Sequence, residues 1–167
     1  MAQDNVTPVY LIAGFLDSGK TSFINGILSD GFALEDPTLL LSCEEGEVDY
    51  NPKLLRNVTV LSVDRLEELT PAFLLSQQKK CRAKQVIVEF NGMWQIQDFY
   101  VNSMPQSWAL YQIIALCEGS TFEMYAKNMA SLMMEKLRNA DMILINRCTD
   151  GLCKSLRQKN LRLVNRR

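Results

Sequence analysis

Eight residues near the start of the chain have the types and spacing of a phosphate-binding loop. Gly14-Phe15-Leu16-Asp17-Ser18-Gly19-Lys20-Thr21 matches the pattern Gly-x-x-x-x-Gly-Lys-[Ser/Thr] and follows an apolar run. The two glycines let the backbone wrap an anion, while the loop N–H groups and the next helix N-terminus offer it positive potential. Lys20 is expected to reach the β- and γ-phosphates, and Thr21 to offer its hydroxyl to Mg²⁺. The loop therefore predicts a nucleoside triphosphate site.

A second carboxylate is needed near this loop, to hold the magnesium ion or to orient an attacking water. Glu89 follows the apolar run Val86-Ile87-Val88 and precedes Gly92, where a glycine lets the chain turn close to the γ-phosphate. An acid after an apolar run is common, but the phosphate loop in the same chain favours a functional role. We expect Lys20 and Glu89 to be catalytic, and Thr21 and Glu89 to hold Mg²⁺, Glu89 through water.

The composition excludes several other kinds of chemistry. The 167 residues include no histidine, which excludes a Ser-His-Asp triad, a histidine base and a histidine metal ligand. The five cysteines form no Cys-x-x-Cys pair, so neither a disulfide framework nor a zinc site is indicated. The net charge of −1 gives no general attraction to nucleic acid or membranes, although residues 136–167 carry nine basic and two acidic side chains.

No membrane-spanning or targeting segment is predicted. The longest apolar run, residues 9–16, is far shorter than the roughly 20 residues that a spanning helix needs. The first 19 residues contain no Lys or Arg, which a signal peptide requires before its apolar stretch. We therefore expect a cytoplasmic protein, and the chain length fits one domain.

Apolar runs alternate with helical patterns along the chain, which predicts an α/β fold with a mostly parallel sheet. Strands are predicted at residues 8–13, 38–42, 57–63, 85–90, 109–117 and 141–146, and helices at 20–30, 65–81, 94–103, 120–139 and 152–165. Thr70-Pro71 is typical of a helix start and divides 65–81. Ser120 and Glu123 have the spacing of a capping box. A stripe on the same helix is expected to pack on the sheet: Phe122, Ala126, Met129, Met133 and Leu137.

Four segments resemble, in order, motifs of the CobW-like P-loop GTPases, a family that includes cobalamin-synthesis proteins and metallochaperones. The loop at 14–21 is similar to the family's Gly-Phe-Leu-Gly-Ser-Gly-Lys-Thr. Glu44-Glu45-Gly46-Glu47 resembles its acidic Glu-x-Gly-Glu segment, and Glu89-Phe90-Asn91-Gly92 resembles its glutamate-type Walker B motif. The segment 140–147 resembles the strand that leads to a guanine-reading Asn-Lys-x-Asp.

The resemblance implies a three-layer P-loop NTPase sandwich that binds GTP with Mg²⁺ and hydrolyses it slowly, as a switch in metal or cobalamin-type cofactor delivery. Glu44 and Glu47 would be switch residues that sense the γ-phosphate. The family continues with a C-terminal domain, so we expect residues 1–167 to be a nucleotide-binding domain, either truncated or isolated, without that C-terminal domain. The predicted nucleotide-binding residues are Gly14, Asp17, Ser18, Gly19, Lys20, Thr21, Ser22, Asn146, Arg147 and Asp150.

Three departures from the family pattern leave alternatives open. Asp17 replaces a glycine, and it either repels phosphate or points to solvent. The family's Cys-x-Cys-Cys metal motif is absent, so Cys43 is either a buried thiol or, with Glu44 and Glu47, a divalent ion site. Asp150 follows Asn146 by four residues instead of three, so its contact with guanine either needs a loop adjustment or is missing.

Two other functions compete with the GTPase interpretation. One is a nucleotide-responsive interaction module with negligible catalysis, and the other is a small-molecule kinase on the same loop. No arginine-rich lid for a kinase is apparent in residues 1–135. The expected partners are GTP, with ATP as the alternative, a metalloprotein or cofactor-pathway client, and a second copy in a homodimer; nucleic acid and membranes are not expected.

Overall fold

The computed structural model of the chain describes residues 6–158 and 165, and its centre is a six-stranded sheet. The strands are Thr7–Ala13 (β1), Thr38–Ser42 (β2), Val58–Ser62 (β3), Gln85–Glu89 (β4), Trp108–Glu118 (β5) and Met142–Asn146 (β6). They lie in the order β3-β2-β4-β1-β5-β6, and every neighbouring pair is parallel. The predicted α/β class is confirmed, and all six predicted strands are present.

Helices connect the strands, as parallel pairing requires. The α-helices are Lys20–Ser29 (α1), Pro71–Cys81 (α2), Ile96–Asp98 (α3), Phe122–Asn128 (α4), Ala130–Asn139 (α5) and Asp150–Gln158 (α6). Short 3₁₀ turns lie at Pro52–Leu54 and Leu66–Glu68, and a π-helical turn at Phe99–Ser103 follows α3. None of the helices in the described part of the chain has the length and hydropathy to cross a membrane.

Helices cover both faces of the sheet because consecutive strand side chains point to opposite sides. Leu40 of β2 packs on one face with Ile24 of α1. Leu41, the next residue, packs on the other face with Leu74 of α2 and Met133 of α5. The strands are apolar on both faces for this reason, as is usual for a covered parallel sheet.

The central strand β1 pairs with segments far away in the sequence. Val9 of β1 faces Val86 of β4, and Thr7 faces Trp108 of β5. Because all strands are parallel, their carboxyl ends meet at one edge of the sheet, where loops from several strands come together. The phosphate loop follows β1 at this edge, and Glu89 is the last residue of β4.

The predicted helix at 120–139 differs from the structure in two respects. It is interrupted at Met129, where φ is −131° and ψ is 38°, so that α4 and α5 are separate. The predicted capping box is wrong: Ser120 Oγ donates to Glu118 Oε1 at 2.9 Å, and α4 has no side-chain cap. Ser120 lies one residue before the cap position, Thr121, so the nearer carboxylate of Glu118 takes its hydroxyl.

Other helix predictions agree with the structure. Thr70 caps α2 by accepting a hydrogen bond from the Phe73 N–H at 3.2 Å. The stripe from Phe122 to Leu137 packs in the core on the α5 side of the sheet. The segment predicted as a helix at 94–103 contains α3 and the π-helical turn. The predicted last helix begins at Asp150, and its residues 159–164 lie outside the described residues.

Candidate functional site

The phosphate loop has a backbone shape that requires its glycines. Gly19, the N-cap of α1, has a φ of 96°, and a Cβ there would lie 2.6 Å from Asn146 Nδ2. A Cβ at Gly14 would lie 2.5 Å from Leu116 O. Asp17, at the position where the resembling family has glycine, has a φ of 58° and an exposed side chain. The left-handed backbone at residue 17 explains why glycine suits this position, and the exposed Asp17 lies at the cavity that the loop borders.

Lys20, the first residue of α1, is held inside this loop. Its side chain is buried, and its Nζ donates to the carbonyl oxygens of Gly14 at 2.9 Å and Phe15 at 2.8 Å. The same ammonium forms an ion pair with Glu44, which follows the carboxyl end of β2. The loop carbonyls and one carboxylate thus surround the lysine charge and fix its position.

Thr21, Glu89 and Tyr50 form a chain of hydrogen bonds beside Lys20. The Thr21 hydroxyl donates to Glu89 Oε1 at 2.6 Å, and the Tyr50 hydroxyl donates to the other oxygen, Oε2. Glu89 is buried, with 3% of its surface exposed. Burial, followed by the charge of Glu89, raises the pKa of Tyr50 above its ordinary value, so Tyr50 stays a donor.

The paired oxygens of Thr21 and Glu89 fit a magnesium ion. Mg²⁺ binds oxygen ligands and keeps several waters, so one hydroxyl and one nearby carboxylate are a sufficient protein contribution beside nucleotide phosphates. Thr21 would bind the ion directly and Glu89 through water. When bound, the ion would neutralise charge that develops on the phosphates during transfer.

The segment after β2 is tied to the end of β4. The Cys43 N–H donates to Glu89 O at 3.0 Å, and Asn91 Nδ2 donates to Cys43 O at 3.1 Å. Glu44 Oε1 accepts a hydrogen bond from the Gly92 backbone N–H at 3.1 Å. Glu44 is therefore in contact with both the phosphate loop and the Walker B-like segment, whereas Glu47 is exposed.

The divalent-ion alternative at Cys43 receives no support. Among the described residues, no group of three or more Cys, Asp or Glu side chains is arranged to hold a metal ion. Cys43 is 1% exposed, and burial, with the charges of Glu89 and Glu44, raises the pKa of its thiol to about 12. Cys43 is a buried thiol that packs in the core.

A cavity of about 300 Å³ opens where these segments meet. Its charged lining comprises five carboxylates and two cations, namely Asp17, Glu44, Glu47, Glu89, Glu118, Lys20 and Arg147. The lining is thus strongly acidic for a phosphate site, because an anion here meets mostly like charge. A divalent cation bound with the phosphates would offset this repulsion.

The predicted base-reading residues lie at the turn between β6 and α6. Asn146 Nδ2 donates to Ser18 O at 3.4 Å and so contacts the back of the phosphate loop. Arg147 has a φ of 49° and pairs with Glu118 at 3.0 Å. Asp150 is the exposed first residue of α6 and is absent from the described residues that line the cavity.

The structure brings most predicted site residues to one cavity. Those that line it are Asp17, Gly19, Lys20, Thr21, Ser22, Glu44, Glu47, Glu89 and Arg147. Gly14, Ser18 and Asn146 lie behind the loop, where the Ser18 N–H donates to Phe15 O at 3.2 Å. The roles of all these residues toward a nucleotide stay predictions, as does that of Asp150.

Sequence reasoning missed two residues that shape the site. Tyr50 holds Glu89, and only its position shortly after the acidic segment hints at a role. Lys136 of α5 is buried beneath the loop, where its Nζ donates to Trp94 O at 2.9 Å and lies 5.5 Å from the centroid of the Phe15 ring. Lys136 belongs to the C-terminal basic segment, which gave no indication of such a contact.

The chain has the fold of a known structure. The crystal structure of hydrogenase maturation factor HypB from Archaeoglobus fulgidus is similar, with a TM-score of 0.64 over 99% of this chain and 80% of that chain. The sequences are 16% identical, a level at which the likeness establishes a shared α/β fold alone. No protein-family model and no curated protein matches the sequence. The resemblance to CobW-like GTPases therefore remains a prediction.

Proposed function

We propose that this chain is a Mg²⁺-dependent GTP-binding protein that hydrolyses GTP slowly. The observation that carries the proposal is the convergence of Lys20, Thr21 and Glu89 in one cavity at the carboxyl edge of the sheet. These residues come from the phosphate loop and from a strand 68 residues further along the chain. A glycine-rich turn that binds no ligand does not require a buried carboxylate beside its threonine, so the contact between Thr21 and Glu89 favours a binding site.

The residues of the site have different roles in phosphate binding and hydrolysis. Lys20 binds the β- and γ-phosphates, because its ammonium is fixed at the loop by two carbonyl oxygens. Thr21 and Glu89 hold the magnesium ion, and Glu89 also orients the attacking water. Tyr50 is a positioning residue that keeps the Glu89 carboxylate in place. The role of Tyr50 is supported by its hydrogen bond to Glu89, which is buried.

The biological role that we propose is a switch in metal or cofactor delivery, in the cytoplasm. Two findings support it: the resemblance of four motifs to the CobW-like family, and the shared fold with a structure described as a hydrogenase maturation factor. In this role, GTP binding and hydrolysis change the acidic segment that contains Glu44 and Glu47. A metalloprotein or cofactor-pathway client would read that change.

The main alternative is a nucleotide-responsive interaction module with negligible catalysis. The position of Asp150 outside the cavity lining favours it, because a loosely read base suits a sensor better than a selective enzyme. The acidic lining also favours it, since carboxylates near the phosphates oppose tight triphosphate binding.

Titration with fluorescent GTP and ATP analogues in Mg²⁺ tests the proposal directly. We expect GTP to bind, and we expect multiple-turnover phosphate release that continues slowly without any acceptor molecule. Binding without turnover would favour the interaction module, and release that needs an acceptor would favour the kinase. Failure of both nucleotides to bind at high micromolar protein would contradict nucleotide binding altogether.

A further inference from the structure

All three N–H groups of the Lys20 ammonium already have partners. Two are the carbonyl oxygens of Gly14 and Phe15, and the third is the carboxylate of Glu44. The carbonyls are neutral and belong to the phosphate loop itself, so they do not repel an arriving phosphate as a carboxylate does. Glu44 comes from another segment and carries the only negative charge that touches Lys20 among the described contacts.

Glu44 also occupies a backbone donor at the rim of the loop. Its Oε1 accepts from the Gly92 N–H at 3.1 Å. Gly92 packs tightly on the loop, since a Cβ there would lie 2.8 Å from Phe15 Cα and 2.9 Å from Gly14 O. The carboxylate is thus held between a lysine and a backbone N–H, the same kinds of donor that a phosphate group requires.

The bound carboxylate is shielded from water. The side chains of Lys20 and Glu44 are 3% and 12% exposed, so their attraction is screened less than that of a surface pair. A terminal phosphate that approached Lys20 would meet Glu44 at the same donors. Two anions cannot share these donors without strong repulsion, so one of them has to leave.

We infer that Glu44 is an internal substitute for the terminal phosphate, and that it lowers the affinity of this site for a nucleoside triphosphate relative to a diphosphate. The inference rests on the proposed nucleotide-binding function. A diphosphate competes with Glu44 at Lys20 but leaves it the Gly92 N–H, whereas a triphosphate displaces the carboxylate from both Lys20 and Gly92. Glu44 is therefore a specificity-determining residue for the number of phosphates.

The two ends of the acidic segment are fixed, so displacement is confined to its middle. Cys43 is bonded to Glu89 and Asn91 at one end. At the other end Asn25 of α1 donates to Asp49 O, and its side-chain oxygen accepts from the Asn51 N–H, both at 3.0 Å. The segment between them, residues 45–48, is exposed. Release of Glu44 moves this exposed stretch without unfolding its anchors.

The test compares Glu44→Gln with the matched control Glu45→Gln. Both variants remove one negative charge from the same segment, but Glu45 is exposed and does not line the cavity. The affinities for GDP and for a non-hydrolysable GTP analogue are measured for each protein in the same Mg²⁺ buffer. For Glu44→Gln we expect the triphosphate affinity to rise about tenfold while GDP affinity rises by a smaller factor, about threefold or less, because GDP competes with Glu44 at Lys20 alone. For Glu45→Gln we expect both to stay within about twofold of the parent.

A third variant and a second readout keep the test independent of folding. Glu44→Asp keeps the charge but shortens the reach, so we expect a smaller gain in triphosphate affinity than with glutamine. The melting temperature of each folded variant is measured with and without the analogue, and we expect the analogue to stabilise Glu44→Gln more than the parent.

Two results would overturn the inference in distinguishable ways. If the parent binds GDP and the analogue, but Glu44→Gln leaves the ratio of the two affinities unchanged or shifts it toward GDP, only the role of Glu44 is wrong. If the parent binds neither nucleotide, the proposed function is wrong and this role falls with it.

Discussion

At the phosphate loop, Lys20 and Thr21 bond to residues that follow β2 and to the end of β4, whereas the contacts of the β6–α6 turn are mainly with β5 and within the turn and α6. Lys20, Glu44 and Gly92 are linked in one network, and Thr21 is linked to Tyr50 through Glu89. On the other side, Arg147 bonds to Glu118 of the adjacent strand, and the Cys148 sulfur contacts that of Cys153 in α6. Asn146 alone of the predicted base readers reaches the phosphate loop.

This difference indicates that the two halves of the proposed nucleotide site would have different physical origins. Phosphates would bind to the loop and to the buried Lys20, which the fold holds in place. A base is read by side chains at a turn, and Asp150 is exposed there instead of facing the cavity. We therefore expect strong selection for phosphates and weak selection among bases. Four predictions test this comparison.

The largest effect is expected from Lys20→Ala. The variant loses the charge-assisted contact to the phosphates and leaves the Glu44 carboxylate without its cation, so nucleotide affinity falls by at least about 100-fold. A fluorescence titration with GTP and GDP measures this loss. Lys127→Ala, at an exposed position of α4, serves as the control and should bind like the parent. If Lys20→Ala bound nucleotides as tightly as the parent, the assignment of Lys20 to the phosphates would be contradicted.

Removal of magnesium is expected to have the next largest effect. Five carboxylates and two cations form the charged lining of the cavity, so a triphosphate without a divalent ion meets net repulsion. We expect affinity for GTP to fall by about tenfold or more when a chelator replaces Mg²⁺ at constant ionic strength. GTP binding that is indifferent to the chelator would contradict the assignment of Thr21 and Glu89 to the ion.

Tyr50→Phe is expected to reduce stability more than nucleotide binding. The variant leaves one oxygen of the buried Glu89 without its donor, which costs about 1–2 kcal/mol of the free energy of unfolding. Urea denaturation measures this cost. Tyr111→Phe is the matched control. Because Tyr111 is 71% exposed, the loss of its hydroxyl should change the free energy of unfolding little. A Tyr50 variant as stable as the control would show that the Glu89 network is not pre-formed.

The smallest effect is expected from Asp150→Asn. Because Asp150 is exposed at the first turn of α6 and outside the cavity lining, the ratio of GTP to ATP affinity should change by less than about threefold. Competition titrations with both nucleotides measure the ratio. If Asp150→Asn lost about tenfold or more in affinity for GTP alone, the expected difference between the two regions would be contradicted. Such a loss would mean that the residues of the β6–α6 turn are as well positioned for a base as the loop is for phosphates.

The parts of this molecule that could be predicted are those in which one local rule decides the outcome. Apolar runs of about five residues predicted the six strands, and the glycine-lysine spacing predicted the phosphate loop that follows β1. Glu89 was predicted because it ends an apolar run in a chain that also contains the phosphate loop. The capping box at Ser120 failed because Glu118, outside the pattern, competed for the hydroxyl.

The contacts that could not be predicted join segments far apart in the chain. Tyr50 and Glu89 are 39 residues apart, and Trp94 and Lys136 are 42 apart. No spacing rule links such pairs, since their approach depends on the strand order and on which loops cross the carboxyl edge. The resemblance to CobW-like GTPases implies that Glu44 belongs to a switch, but only the structure pairs its carboxylate with Lys20.

The position of β1 at the centre of the sheet has a consequence for biosynthesis. Its partners are β4 and β5. During synthesis, Val9 can pair only after Val86 has been added to the chain, and Thr7 only after Trp108. Parallel pairings of this sequence separation form slowly, because the closure entropy of the intervening loop is lost before any contact compensates for it. On the ribosome, the first strand has no sheet partner until β4 has emerged. The loop at residues 14–21 therefore follows an unpaired strand until residues 85–89 have been translated.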